Sequence, residues 1–402
     1  MVKRVEYFER LLKFKDKGLI KVITGVRRCG KSTLLLMYKD YLLENGISED
    51  HIIFINFEDL DNEELTNYKA LYDFINALIK DDKKYYIILD EIQNVNKFQK
   101  TIDSLYLKTN VDIYITGSNA YMLSSEIATL ISGRYVQIEM LPLSYKEYRE
   151  GMKENNKEAN LMSYIENTSF PQVIQFANDK ELIKEYVESL FNTIVVKDIL
   201  NRNKISDIIV FKSILRFIID NIGSTISSKK ISDTLTSDGR KVDAKTVEKY
   251  INAMIESYIL YQVKRYDIKG KQYLKSQEKY YIVDVGFKYS LVPNSRLDLG
   301  HIIENIVYLE LIRRGYKVFI GKTNEYEIDF VAHKGDEIEY IQVTASIRDS
   351  QTYEREMRPF KSIDDNYEKI ILTLDDDLDE NDNGVKIMNV ERWILGEGQY
   401  FI

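Results

Sequence analysis

The 402-residue chain has little of what binds metals or forms covalent cross-links: one cysteine, Cys29, and three scattered histidines, His51, His301 and His333. A lone cysteine excludes an intramolecular disulfide and a cysteine-based zinc site. Three separated histidines argue equally against a histidine-rich metal centre. No run of about 18 apolar residues occurs, and the opening "MVKRVEYFERLLKFKDKG" is charged throughout, without the apolar core of a signal peptide. The expected location is therefore the cytoplasm, with no membrane partner. An excess of positive charge is also missing. A net charge of −8 argues against a protein that coats nucleic acid with its whole surface, while leaving room for a local basic module. What is present is a globular composition, 44% hydrophobic and 30% charged, in a chain too long for one core, so two to four domains are expected.

The densest signal is "VITGVRRCGKSTLLLMY", residues 22–38. Gly25, Val26, Arg27, Arg28, Cys29, Gly30, Lys31 and Ser32, followed by Thr33, fit G-x-x-x-x-G-K-[ST], the Walker A motif, between an apolar strand-like run and leucines at helical spacing. Glycines let backbone N–H groups close round phosphates, Lys31 reaches the terminal phosphates, and the Ser32 hydroxyl joins the Mg²⁺ shell. ATP and Mg²⁺ are the expected cofactors. "YYIILDE", 85–91, is a buried-looking strand ending in two acids. Asp90 is expected in the Mg²⁺ shell, and Glu91 as the group that orients or deprotonates the attacking water. "VDIYITGSNA", 111–120, is a further strand whose Ser118 and Asn119 are candidate sensors of the γ-phosphate or the water.

"IIFINFED", 52–59, lies between the loop and the acid strand. With the adjacent glutamate, this inserted strand resembles the additional-strand, catalytic-glutamate branch of the P-loop ATPases, AAA-type ATPases in particular. That resemblance gives Arg134, just before a fifth strand, two readings: an arginine acting on the γ-phosphate of a neighbouring subunit, which implies a homo-oligomer, or a surface arginine. Cys29 reads as a small loop residue rather than a redox switch.

Residues 141–205 are helical and polar, broken at "TSFPQVI". From 206 to 290 the order is three helices, the first ended by Gly223 and the third N-capped by Asp243, followed by two strands around Lys269–Gly270–Lys271, which is the order of a winged helix. Residues 224–279 hold 12 Lys/Arg against 7 Asp/Glu, a local excess of +5, so the remainder carries −13. Lys245 and Lys249 fall on one face of the third helix, and Arg265, Lys269 and Lys271 on the wing. The module reads as a DNA contact without sequence specificity, or as a connector.

The last segment gives the order αβββαβ. Gly335–Asp336 suits a type II′ hairpin. A two-residue loop pairs Lys334 with Glu337, sets Asp329 across from Gln342 and Glu327 across from Thr344, and sends Ile328, Phe330, Ile341 and Val343 to the opposite face. Glu304, with Val307, Tyr308, Leu311 and Ile312 beside it, sits on an apolar flank and needs a partner or a metal. Glu310, next to Arg313 and Arg314, reads as a surface acid. The run "DDDLDENDN", 375–383, reads as a solvated loop.

A helix glutamate, an aspartate, then Gln-x-Lys on the next strand is the signature of the PD-(D/E)XK nuclease fold, which this segment resembles through Glu304, Asp329 and Gln342. Thr344 stands where the lysine belongs. The resemblance implies acids that bind Mg²⁺. Without the lysine it implies binding without cleavage, unless Lys361, Arg355 or Arg358 substitutes.

The whole chain resembles a prokaryotic family of predicted AAA-type ATPases whose C-terminal domain of unknown function is a diverged restriction-endonuclease-like fold. The residues that carry this are "GVRRCGKS", "LDEIQ", "TGSNA", "SGRYVQIEMLPLS" and "ENIVYLELIRRGY…EIDFVA…YIQV"; "TSFP" departs from the glycines that the family commonly places before Phe-Pro. The expected architecture is α/β: a P-loop NTPase (AAA-type) core over 1–140, a helical lid over 141–205, a winged-helix domain over 206–290 and a restriction-endonuclease-like domain over 291–402. The expected function is Mg²⁺-dependent ATP hydrolysis coupled to DNA contact. The alternatives are an ATP-regulated nuclease and a nucleotide switch that recruits a protein.

Overall fold

Five short apolar runs, Ile20–Thr24 (β1), Ile52–Asn56 (β2), Tyr85–Asp90 (β3), Val111–Gly117 (β4) and Tyr135–Glu139 (β5), pair in the order β2-β3-β4-β1-β5. Every pairing is parallel. In such a sheet the central strands are covered on both faces, which is why β1, β3 and β4 are buried along their whole length and lack polar alternation. One face packs through Ile20, Val22, Ile87 and Ile113 against Leu71 and Ile75 of helix Tyr68–Leu78 and Ile102 and Leu105 of helix Phe98–Tyr106. Because β4 is inserted between β1 and β3, the ends of these three strands lie side by side. At the start of β1, Lys21 is fully buried and ion-paired with Asp112 of β4.

The structure is a computed structural model that describes every residue except 1, 121–132, 177–178, 204, 271, 292–297, 324, 378–379 and 398–402. It divides into two compact units, residues 1–142 with 256–258, and residues 143–255 with 259–402. No helix among the described residues is long and apolar enough to cross a membrane.

The second unit begins with helices Tyr145–Glu154, closed at its start by a reciprocal Ser144–Glu147 capping box, Leu161–Glu166 and Lys180–Thr193. Helices Ile208–Asp220, Ser228–Ser237 and Ala244–Glu256 follow, the last capped by Asp243, whose Oδ1 accepts from the Thr246 N–H at 3.0 Å. Strands Thr225–Ile226 (β6), Leu260–Asp267 (β7) and Gln272–Ile282 (β8) accompany them. After helix Leu299–Arg313 come Lys317–Lys322 (β9), Glu327–Lys334 (β10), Glu337–Val343 (β11), helix Ser350–Met357, Glu368–Thr373 (β12), Glu380–Asp382 (β13), Val385–Asn389 (β14) and helix Val390–Leu395.

All nine strands belong to one sheet, ordered β13-β14-β12-β11-β10-β9-β7-β8-β6. The join is a parallel pairing of β7 with β9, Arg265 facing Ile320 and Asp267 facing Lys322, so the sheet runs without a break across residue 290. The β10–β11 hairpin has the register that its turn dictates, Lys334 with Glu337 and Phe330 with Ile341. Gly335 takes φ +61° and Asp336 keeps a negative φ, as a type II′ turn requires. Two expectations fail. Glu310 is buried, held by Arg313 and Arg314 at 2.9 Å each, because its helix is covered on nearly all sides. The acidic run is no loop throughout, since Glu380–Asp382 forms β13. Asp375 is also buried, accepting from the Ile347 N–H at 2.9 Å and the Ser346 hydroxyl at 3.0 Å.

Candidate nucleotide site and carboxylate cleft

β1 delivers the chain into the phosphate loop at Gly25, whose φ is +142°. A Cβ there would lie 2.1 Å from the Met140 carbonyl oxygen, so only glycine fits. The loop closes at Gly30, and helix Lys31–Glu44 departs from it, burying Leu34, Leu35, Tyr38 and Leu42. Val26 and Cys29 are buried, Arg27 pairs with Glu58, and Arg28 is exposed in the left-handed region at φ +64°. Burial pushes the Cys29 thiol up, which makes it inert and agrees with a loop-packing role. Ser32 and Thr33 are half-buried in the first helical turn.

Lys31 is buried, and its Nζ donates to the Gly25 carbonyl at 3.1 Å, the Val26 carbonyl at 3.2 Å and Ser118 Oγ at 2.9 Å. Ser118 passes the chain on, donating to Glu91 Oε1 at 2.7 Å, while Gln93 Nε2 donates to Oε2. Glu91 lies 3.6 Å from the Lys31 ammonium. Burial would raise its pKa, yet the Lys31 charge and the Ser118 and Gln93 hydrogen bonds outweigh burial and hold it below the ordinary glutamate value.

Beside it, Asp90 Oδ1 accepts from Thr116 Oγ1 at 2.5 Å, and the same hydroxyl accepts from the Glu91 N–H at 2.8 Å. Asp90 Oδ2 is buried with no strict hydrogen-bond partner among the described residues, and burial raises this carboxyl's pKa. A buried carboxylate oxygen beside the Ser32 hydroxyl, whose hydrogen bond offsets part of the rise, suits a hard cation. The residues therefore fit Mg²⁺. Asn119 is buried at the end of β4.

Arg134 stands at the other edge of this sheet, where its carbonyl accepts from the Ile20 N–H at 2.8 Å. Five residues of β1, roughly 16 Å of strand, separate it from the loop. Its guanidinium pairs with Asp103 at 2.6 Å and lies 5.3 Å from the Tyr106 ring centroid. Arg134 is thus placed away from this chain's own phosphate loop. Arg4, which sequence reasoning missed, is buried and donates to the carbonyls of Cys29 at 2.8 Å and Leu141 at 2.6 Å, tying the loop to the segment after β5.

In the second unit Glu304, Asp329, Gln342 and Thr344 line one cleft of about 570 Å³. The Asp329 N–H donates to Gln342 Oε1 at 2.7 Å, the Val343 N–H donates to Asp329 Oδ2 at 3.0 Å, and Gln342 Nε2 donates to Glu356 at 2.9 Å. Thr344 turns its hydroxyl to the Ser346 carbonyl, 3.4 Å away. Of the substitutes expected for the absent lysine, Arg355 lines the cleft and pairs with Glu356 at 2.8 Å, while Lys361 pairs with Glu354 at 3.4 Å. The cation that meets Glu304 and Asp329 is Lys279 of β8, counted in the sequence only as one charge of a basic window. Its Nζ lies 2.9 Å from Glu304, 3.1 Å from Asp329 and 3.2 Å from Glu327. Those three charges outweigh burial and raise the lysine's pKa.

Burial lifts Glu304 to about 7 from an ordinary 4.5, with Lys279 opposing the rise and Asp329 adding to it. The folded chain then keeps a proton that the unfolded chain releases in that interval. The stability so gained is complete below about pH 4.5 and is lost as pH rises through about 7. Between pH 5 and 8 the melting temperature of the wild type is expected to fall more steeply than that of Glu304→Gln. Equal slopes in a differential scanning measurement would show Glu304 ionised throughout.

Of the expected basic surface, Lys245, Lys249 and Lys269 are exposed. Arg265 is only 8% exposed, because β9 covers its strand, and does not belong to that surface. Lys271 lies outside the described residues.

A family model described as an AAA domain matches residues 17–149, and a domain of unknown function, DUF8612, matches 158–298, crossing the borders expected at 205 and 290. The chain is 38% identical to an uncharacterized protein of Haemophilus influenzae over 98% of this chain and 99% of the relative. It is 31% identical to the uncharacterized protein MJ1544 of Methanocaldococcus jannaschii over 94% of this chain and 88% of the relative. Among solved structures, the Walker-type ATPase PABY2304 of Pyrococcus abyssi is similar in fold, with a TM-score of 0.52 and 15% identity over 72% of this chain and 96% of that one.

Proposed function

The chain belongs to one family with the Haemophilus influenzae protein, and from that premise, with an AAA-domain phosphate loop in its first third, we propose that it is a Mg²⁺-dependent ATPase. The observation that carries this reading is the chain Lys31–Ser118–Glu91, set beside a buried Asp90 oxygen next to the Ser32 hydroxyl. Mg²⁺, held by Ser32 and Asp90, supplies charge neutralisation at the phosphates. Lys31 exchanges its bonds to the Gly25 and Val26 carbonyls for phosphate oxygens, which offer the same ammonium a stronger, charged acceptor. Glu91, kept ionised, orients the attacking water and accepts its proton, and Ser118 fixes the carboxylate's orientation.

The nucleotide state is read out by the second unit. Its three helices and the strands β6, β7 and β8 have the order of a winged helix, and the exposed Lys245 and Lys249 support contact with a DNA backbone. One observation favours a second reading, a nucleotide switch that recruits a protein: the strand expected to form a free wing is covered by β9, with Arg265 turned inward.

Phosphate release with Mg²⁺ and ATP, with and without duplex and single-stranded DNA, tests both readings. DNA is expected to stimulate hydrolysis. Lys245→Glu/Lys249→Glu is expected to abolish the stimulation and to lower the salt dependence of DNA binding by about 2 in log–log slope, one for each lysine. Hydrolysis indifferent to DNA would transfer the readout to a protein partner, and absence of hydrolysis in every condition would refute the ATPase.

A further inference from the structure

Three carboxylates from two elements, Glu304 on helix Leu299–Arg313 and Glu327 and Asp329 on β10, converge on one nitrogen contributed by a third, Lys279 on β8. The lysine side chain is 5% exposed, and Glu304 also accepts from the Tyr281 hydroxyl at 2.6 Å. The nuclease-like resemblance implies Mg²⁺ on Glu304 and Asp329, and these residues do not fit it. The point on which the oxygens of Glu304, Asp329 and Glu327 converge is taken by Nζ, 2.9, 3.1 and 3.2 Å from them. Among the described residues no group of three or more acids or histidines is placed to hold a metal ion. Gln342 is neutral, and its amide is spent between the Asp329 N–H and Glu356.

We propose that the Lys279 ammonium is the resident cation of this cleft and keeps divalent metal ions out of it. The position left without a cation at Thr344 is thereby supplied from β8, far away in sequence, and the charge serves the acids of the cleft. With the ammonium at their point of convergence, the three carboxylates already have a counterion. The inference is independent of ATP hydrolysis.

Removal of the ammonium leaves three clustered carboxylates without a counterion, and a divalent ion is the species that restores the balance. The test is a Mn²⁺ titration of the full chain, read by the electron paramagnetic resonance of free Mn²⁺, for wild type, Lys279→Met, Lys279→Arg, Asp329→Asn and Lys279→Met/Asp329→Asn. Any ion at the phosphate loop is common to all five. Lys279→Met is expected to bind one Mn²⁺ more than wild type, to lose it again when Asp329→Asn is added, and to gain more in melting temperature from Mn²⁺ than wild type and Lys279→Arg do.

If Lys279→Met folds only with Mn²⁺ present, the ion has replaced the ammonium and the proposal holds. It is overturned if Lys279→Met binds no additional ion, if it stays unfolded with Mn²⁺, or if Asp329→Asn alone lowers the Mn²⁺ count of the wild type.

Discussion

Replacing Glu91 with Gln is expected to lower kcat for ATP about 10²–10⁴-fold while leaving the Kd for ATP close to that of the wild type. The substitution keeps the size of the side chain and its acceptance of the Ser118 hydroxyl, removes the charge that takes the water's proton, and turns the position that accepts from Gln93 into a donor. Phosphate binding rests on the loop backbone and Lys31, which the change does not alter. It acts in the transition state, so kcat falls with kcat/KM. Phosphate release beside a fluorescent-nucleotide titration separates the two quantities. A kcat within twofold of the wild type would take the proton-accepting role away from Glu91, and a parallel loss of binding would make it a structural ligand of the loop.

The second large effect concerns stability. Lys21 is fully buried on β1, paired with Asp112 of β4, which also accepts from the Tyr114 hydroxyl at 2.7 Å and the Asp16 N–H at 3.1 Å. Burial lowers the ammonium's pKa despite Asp112, so desolvation costs more than the partner returns. Lys21→Met strands the buried Asp112 charge and is expected to destabilise the first unit by about 3–5 kcal/mol, a large share of an ordinary domain's stability. Lys21→Met/Asp112→Leu removes both charges and is expected to recover most of that loss. Urea unfolding, with loss of nucleotide binding as the probe of the first unit, checks both. A single variant within about 0.5 kcal/mol of the wild type would show that Asp112 finds water or another donor.

Local chemistry was legible in the sequence wherever the chain's own pattern dictates it. The apolar run "YYIILD" has no polar alternation because β3 has no solvent face, and it lies between two other buried runs for the same reason. Gly335–Asp336 fixes a hairpin, and with it the pairing that brings Asp329 beside Gln342. What escaped is long-range. Lys279 reaches Glu304 across 25 positions and Asp329 across 50, through a β7–β9 pairing that no turn or periodicity announces. The same pairing turned Arg265 from an expected surface cation into a buried one. Arg4 and Asp375 read as ordinary charges because only tertiary packing shows the backbone groups each one satisfies.

The β7–β9 seam also decides how this protein tolerates being divided. A break at residue 290 leaves β7 with one open edge and β9 with another, each an unsatisfied ladder of backbone donors and acceptors cut to the other's register. Such fragments are complementary adhesives. Separated in one tube, they are expected to re-pair or aggregate. The strands β6 to β14 therefore share one backbone ladder, and a cut between β8 and β9 costs both sides of it.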